Sequence, residues 1–269
     1  MSAPDRVLAP FGRRAARMLE RRVYGAYVVL RCADPYGPRP RAGQFYMLAA
    51  AGWGGGDGER PFLPRAFSVL RAGAGNALEF LLEDVGPGTH RLCALEPGED
   101  LLLVGPLGLG FGPPADGRRP LLVGGGVGIA PLAICQDELG GASALLGFRD
   151  AARAEGARLL ADAHVATDDG SVGQRGLVTD LLREQLDDDA HAAVYACGPP
   201  AMLESVRVLC HERGAPAQLA LESGMACGFG ACFGCVVPTR RGYVRLCVDG
   251  PVLDAAELET ALVTGALVH

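Results

Sequence analysis

The hydrophobic pattern changes character twice along the chain. Residues 23–31, 44–50, 66–70, 78–85 and 101–105 form short runs rich in Val, Leu, Phe and Tyr. Turn clusters such as Pro35-Tyr36-Gly37-Pro38 and the glycine-rich residues 52–58 separate them. Strands interrupted this often by Gly and Pro favour an antiparallel barrel, predicted over 23–115. Upstream, Arg13, Arg14, Arg17, Arg21 and Arg22 crowd one basic segment, so residues 1–22 are expected to form an N-terminal arm with a solvated arginine face. From about residue 118 the pattern alternates. Residues 121–123, 143–148, 164–167 and 193–197 read as buried strands, and 130–139, 151–161, 177–186 and 201–213 as helices. Strands alternating with helices predict a Rossmann-like parallel sheet over 116–217. Gly112-Pro113-Pro114 and the residues after it read as the linker. Residues 218–269 turn glycine- and cysteine-rich, with strands at 236–238 and 243–248 and a short helical or frayed end. The whole is a multidomain β + α/β chain with a small C-terminal unit.

Composition narrows the function. All 25 basic residues are arginine, so a lysine Schiff base, a Walker-A lysine and a kinase-type lysine are excluded. A net charge of -6 excludes a bulk basic surface for nucleic acid. The longest stretch free of polar residues, 121–135, is broken by Gly124, Gly125, Gly126, Gly128 and Pro131 and is too short to span a membrane. No apolar signal region follows Met1. A cytoplasmic, reducing context is expected, in which clustered cysteines point to metal rather than to disulfides.

Four of the 9 cysteines carry the strongest signal. Cys227, Cys232, Cys235 and Cys247 are spaced C-x4-C-x2-C-x11-C, and the first three match the plant-type run that holds a [2Fe–2S] cluster. Gly228, Gly230 and Gly234 let one loop fold tightly and bring amide N–H groups toward the sulfides. The fourth thiolate is expected from a following strand. A zinc site is the alternative, although zinc prefers paired knuckles and Cys247 has no such partner; four unrelated core cysteines are another. Cys32, Cys93, Cys135 and Cys210 read as buried small hydrophobes. Cys197 stands apart, because it ends a strand just before Gly198-Pro199.

Residues 121–131 read as strand, glycine turn and helix start, the shape of a pyrophosphate site. Gly124, Gly126 and Gly128 are its candidate residues. Ile129 occupies the third glycine position of the dinucleotide fingerprint, and a tight strand–helix connection remains the other reading. The turn from Gly86 to Thr89 is a second candidate ligand turn. The five histidines are scattered and make no nucleophile–base pair, and Asp187-Asp188-Asp189 reads as a solvated helix end.

Barrel, nucleotide fold and cluster loop, in that order, resemble the ferredoxin–NADP reductase superfamily. More narrowly, the chain resembles the electron-transfer subunit of NAD-dependent dihydroorotate dehydrogenase. The resemblance is carried by Ala42-Gly43-Gln44-Phe45, Arg65-Ala66-Phe67-Ser68, Gly88-Thr89, the stretch from Gly105 to Gly108, the glycine turn, the stretch from Thr167 to Gly170, the stretch from Tyr195 to Pro199 and the four cysteines. It implies FAD on the barrel: Arg65 at its phosphates, Phe67 against the isoalloxazine with Ala66 beside it, Ser68 near the reactive edge. Leu82, Glu83 and Asp84 would lie on the ribose and adenine side, and Gly88 and Thr89 at the pyrophosphate. NAD(H) would bind the glycine turn, with Cys197, Gly198 and Pro199 beside the nicotinamide. Asp150, about 20 residues on, would take the ribose 2′-hydroxyl, although Arg149 is placed for a 2′-phosphate. Three positions depart from the family pattern: Phe67 lacks a hydroxyl, Glu83 stands where a basic residue is common, and Leu109 replaces an asparagine. The implied work is electron transfer from NADH through FAD and the [2Fe–2S] cluster. The implied partner is an FMN-containing dihydroorotate dehydrogenase catalytic subunit, in a heterotetramer that serves pyrimidine synthesis. Other readings are an NAD(P)H–ferredoxin or sulfur reductase subunit, and a zinc-stabilised nucleotide-binding module without turnover.

Overall fold

The computed structural model describes residues 7–10, 12–51, 63–114, 117–189 and 191–262. The turn cluster at 52–58 and the end of the chain after 262 lie outside them. Six antiparallel strands close a barrel: β1 (Arg14–Tyr24), β2 (Tyr27–Ala33), β3 (Phe45–Ala50), β4 (Arg65–Ala72), β5 (Ala77–Glu83) and β6 (Asp100–Leu107), in the order β1-β2-β5-β4-β3-β6. One short helix, α1 (Pro87–Cys93), sits between β5 and β6.

Strand β1 corrects the sequence reading, which made residues 1–22 a solvated arm. The segment alternates with period two: Ala16 and Met18 are buried, while Ala15, Arg17, Leu19 and Arg21 turn outward. Arginine's long apolar stem lets it line a strand's outer face. Arg14 is the exception, turned into a two-pronged ion pair with Asp34 (Nε to Oδ1 2.9 Å, Nη2 to Oδ2 2.5 Å).

A second sheet follows: β7 (Arg119–Gly125), α2 (Ala130–Glu138), β8 (Ser143–Phe148), α3 (Ala151–Ala154), β9 (Ala163–Thr167), β10 (Gln174–Arg175), α4 (Val178–Asp188), β11 (Ala192–Cys197), α5 (Pro200–Arg213) and β12 (Ala217–Ala220). The predicted helix over 151–161 is one α turn and then a 3-10 segment, Glu155–Leu159. Gly156 interrupts it where the ring of Tyr27 presses in; a Cβ there would lie 2.9 Å from Tyr27 Cε2.

The C-terminal unit holds β13 (Val236–Thr239), β14 (Gly242–Arg245), α6 (Leu246–Asp249) and β15 (Val252–Asp254). The second sheet runs β10-β9-β8-β7-β11-β12-β15, parallel except for β15, which pairs antiparallel with β12. The boundary drawn at 217/218 therefore falls inside β12, and the C-terminal unit closes back onto the nucleotide sheet. One buried core runs through all three parts: Phe45, Met47 and Leu107 of the barrel, Val123, Val194 and Leu219 of the sheet, Cys235, Val237, Leu246 and Cys247 of the C-terminal unit.

Candidate functional site

The cluster loop leaves β12 and reaches β13. Gly228 and Gly230 take φ of +79 and +88, where side chains are strained. A Cβ on Gly228 would meet Met47 Cγ at 2.5 Å, and one on Gly230 would meet Val248 Cγ2 at 2.6 Å. Gly234 has ordinary space around it, so only the first two glycines are sterically required.

The four thiols stand as two pairs. Cys235 and Cys247 are buried, with their sulfurs 3.2 Å apart. Cys227 is half-buried and Cys232 exposed. Burial raises the Cys227 thiol, but N–H groups of Cys232 and Phe229, the Cys232 side chain and the Ala231 N–H outweigh it and bring its pKa down to about 6. Cys247 moves the other way, to about 12, through burial first and then its neighbours Cys235 and Cys227. The loop thus favours the thiolate of Cys227 near neutral pH. Among the described residues no group of three or more His, Cys, Asp or Glu side chains is drawn together as a finished metal site. Two pairs of thiols suit a dinuclear cluster, with two sulfur ligands for each iron. The fourth thiol comes from the first turn of α6, just after β14, rather than from the predicted strand.

The glycine turn lies at the carboxyl end of β7. Strand order reverses there, with β8 on one side and β11 on the other, which is where open α/β sheets bind their ligands. Gly126 alone in the turn takes a positive φ, +56. Gly124, Gly125 and Gly128 serve close packing: Cβ atoms there would meet Leu132 Cδ1 at 2.9 Å, Met202 Sδ at 2.6 Å and the Cys197 carbonyl oxygen at 2.5 Å. Gly198 lies against the same Met202 and the Gly125 nitrogen, and Pro199 precedes α5, so the two turns form the walls of one crevice. The Cys197 thiol, however, is 2% exposed and points into the protein, its pKa pushed well up by burial and then by Glu222. Only the backbone of Cys197 faces the crevice.

On the barrel, β4 carries the predicted FAD residues. Arg65 lies over Gly88, whose Cβ would sit 3.0 Å from Arg65 Nε. Phe67 and Ser68 are half-buried and Ala66 is exposed. Thr89 is spent on its own turn: its hydroxyl accepts from the N–H groups of Val85 and Gly86, both at 2.9 Å, and donates to the Gly86 carbonyl. Leu82 is wholly buried in the barrel core and offers a ligand only its backbone. Glu83 pairs with Arg153 at 2.7 Å and Asp84 with His90 at 2.8 Å. Leu109 bridges to Pro251 and gives its N–H to Gly250.

Cluster loop and β4 are neighbours. Gly228 abuts Met47, and Met47 is the register partner of Ala66 in the β3–β4 ladder. Three residues escaped sequence reasoning. Glu222 lies two residues past β12, the strand beside β11, and desolvation raises its carboxyl above the usual range. Tyr27 is fully buried at the seam between barrel and sheet, and its hydroxyl has no hydrogen-bond partner among the described residues. Arg153 ties the same seam with its ion pairs. Only adjacency in the fold marks them.

Comparison with known proteins agrees with this geometry. Residues 222–259 match the iron-sulfur cluster binding domain of dihydroorotate dehydrogenase B, and residues 149–208 match the oxidoreductase NAD-binding domain. The electron transfer subunit of dihydroorotate dehydrogenase B (NAD(+)) from Caldanaerobacter subterraneus subsp. tengcongensis is 35% identical over 250 residues, 90% of this chain and 97% of that protein. The subunit of the same name from Geobacillus thermodenitrificans is 42% identical over 189 residues, 64% of this chain and 70% of that one. Among solved structures, an NADH-dependent reduced ferredoxin-NADP oxidoreductase superposes with a TM-score of 0.75 at 25% identity, over 93% of this chain and 92% of that one. Fold and site thus define an NAD-binding oxidoreductase with the ferredoxin-reductase architecture and an added iron–sulfur domain. The chain belongs to the family of electron transfer subunits of dihydroorotate dehydrogenase B (NAD(+)).

Proposed function

We propose that this chain passes electrons between NAD(H) and a catalytic subunit that oxidises dihydroorotate, by way of FAD on the barrel and a [2Fe–2S] cluster in the C-terminal loop. The observation that carries the reading is the seating of Gly228 on Met47, one strand from Ala66. It sets the cluster cysteines against the strand that bears Arg65, Phe67 and Ser68. When bound, FAD would supply hydride exchange with the nicotinamide, and the cluster would supply one-electron transfer. The protein's own part is placement. Gly126 opens the turn to the coenzyme pyrophosphate, Arg65 and Gly88 receive the flavin phosphates, and Gly198 and Pro199 border the nicotinamide. Cys227, Cys232, Cys235 and Cys247 hold the irons. No side chain is asked to act as acid or base, which suits a hydride transfer between cofactors.

Exposed Cys232 shares its loop with Phe229 and Phe233, which are 62% and 63% exposed, with the Arg245 guanidinium 5.4 Å from the Phe233 ring centre. Aromatic residues and arginine are enriched at protein interfaces. This face is where the FMN-bearing catalytic subunit docks, in a complex of two copies of each. No helix among the described residues is long and apolar enough to cross a membrane, and we place the complex in the cytoplasm.

The anaerobically purified chain should be red-brown and contain one FAD and two irons. NADH should bleach it, and Cys232→Ser should abolish the reduced-state EPR signal. A colourless protein that holds zinc and no flavin overturns the reading. The likeness to a ferredoxin-NADP oxidoreductase favours a second reading, a ferredoxin-linked reductase. Copurification with a dihydroorotate-oxidising FMN subunit decides for the first; NADH-dependent ferredoxin reduction without it decides for the second.

A further inference from the structure

The Tyr27 hydroxyl is sealed inside the barrel–sheet seam and finds no hydrogen-bond partner among the described residues. Its ring has little freedom to turn toward one. Tyr27 opens β2 in register with Glu83 of β5, and the Ala26 N–H just before it donates to the Ala152 carbonyl at 3.1 Å. The 3-10 segment presses on the ring at Gly156, where a Cβ would lie 2.9 Å from Tyr27 Cε2. Phe148 stands on another side, with ring centres 6.5 Å apart.

The charges that act on the phenol, Glu83, Arg153 and Asp150 among them, are spent on one another. Arg153 Nη2 lies 2.7 Å from Glu83 Oε1. Asp150 caps α3, its Oδ1 accepting the Arg153 N–H at 3.0 Å and its Oδ2 accepting Arg153 Nη1 at 2.6 Å. Burial first, and then the Glu83 carboxylate, hold the phenol above its ordinary pKa. At neutral pH it is therefore an O–H donor whose proton is uncommitted.

That donor faces the glycine turn. Cβ atoms on Gly124, Gly125 and Gly128 would meet other atoms at 2.9, 2.6 and 2.5 Å. One on Gly126 would have room, and among the described residues beyond its chain neighbours only Tyr27 Oη would come within 4 Å of it, at 3.9 Å. The turn is thus open at Gly126, and the opening ends on a phenol. Gly126 also begins the 3-10 turn that runs on into α2, where backbone N–H groups lack intrahelical acceptors and favour an anion. An anion seated there has amide donors on the sheet side and an unused hydroxyl on the barrel side.

We propose that Tyr27 is a coenzyme-binding residue contributed by the barrel: its hydroxyl donates to a diphosphate oxygen of the nicotinamide dinucleotide held at the Gly126 turn. A diphosphate oxygen accepts without needing to donate, which is what an orphaned O–H lacks, and a bond to a charged acceptor is among the stronger ones. Gly126 has no side chain and takes φ +56, so a small backbone rotation there bares the hydroxyl to the ligand. Bound coenzyme then bridges the seam between barrel and sheet. The proposal rests on the crevice reading, which seats the coenzyme diphosphate at the glycine turn.

The test is calorimetric binding of 5′-ADP and adenosine to the full chain, with excess FAD so that the flavin site is filled, and a separate titration of FAD. Wild type should bind 5′-ADP. Tyr27→Phe should weaken 5′-ADP about tenfold, the scale of one hydrogen bond to a charged group. Adenosine, which lacks the diphosphate, should bind the two chains alike, and so should FAD. The ligand-free melting temperature of Tyr27→Phe should equal or exceed that of wild type, which separates lost binding from a damaged fold. Equal 5′-ADP affinity in the two chains overturns the proposal and leaves the crevice reading intact. The same follows if 5′-ADP and adenosine weaken equally, which marks a packing role, or if the loss is confined to FAD, which assigns the hydroxyl to the flavin. A wild-type chain that does not bind 5′-ADP overturns both.

Discussion

At Gly228 the backbone takes a left-handed turn and the α-carbon faces Met47 with no room for a methyl group. One residue therefore shapes the cluster loop and seats it on the barrel. Gly228→Ala should cost about 1–3 kcal/mol from backbone strain and steric overlap. Iron per chain should fall while 5′-ADP affinity stays, a split that iron analysis and titration calorimetry would read. The cysteines were legible at this scale because their spacing is local: the ligand set lies between Cys227 and Cys247, and the fold needs only to close one loop. Glu83 and Arg153 were not legible as a pair. They lie 70 positions apart, and each looks like an ordinary surface charge until the barrel and α3 are side by side.

Elements were legible where their period was clean. Ser143–Phe148, Ala130–Glu138 and Pro200–Arg213 fall within a residue of their expected bounds. Strand β1 was misread because five arginines in ten residues suggest a solvated arm, while its inward set is short, chiefly Ala16 and Met18. The last segment had no signal either, since its anchor is on another element. Glu204 of α5 accepts the Ala261 N–H at 2.6 Å, the Thr260 hydroxyl at 3.1 Å and the Arg207 fork. Its pKa falls to about 2, with the Arg207 side chain as the main cause. A depressed acid stabilises the fold above its unfolded pKa, near 4.5, and loses that contribution as pH drops through about 2. The contribution is on the order of 3 kcal/mol at neutral pH. Denaturant titrations of wild type should show stability declining between those values, and Glu204→Gln should show a shallower decline from a lower plateau.

Across the whole molecule, the barrel–sheet seam is tight but contains a polar defect. The Tyr27 hydroxyl is buried beside the glycine turn without a partner among the described residues, and a buried orphan of this kind costs about 1–3 kcal/mol. Tyr27→Phe should leave the chain equally stable or up to about 1 kcal/mol more stable in thermal unfolding; a loss above that would show that the hydroxyl has a partner. The three-part order was legible because each part has its own rhythm: period-two runs, then strand–helix alternation, then a cysteine loop. The joints between parts were not, because nothing in a linear string tells Leu253 that its ladder partner is Leu219.

That joint has a consequence for how the protein comes into being. The cysteine loop is an excursion between β12 and β15, two strands bonded to each other, so both of its ends are clasped by one sheet. The clasp closes only once β15 has been made and pairs with β12. A chain cut shortly after Cys247 would carry all four sulfurs and still lack Val252–Asp254, the strand that closes the frame presenting them.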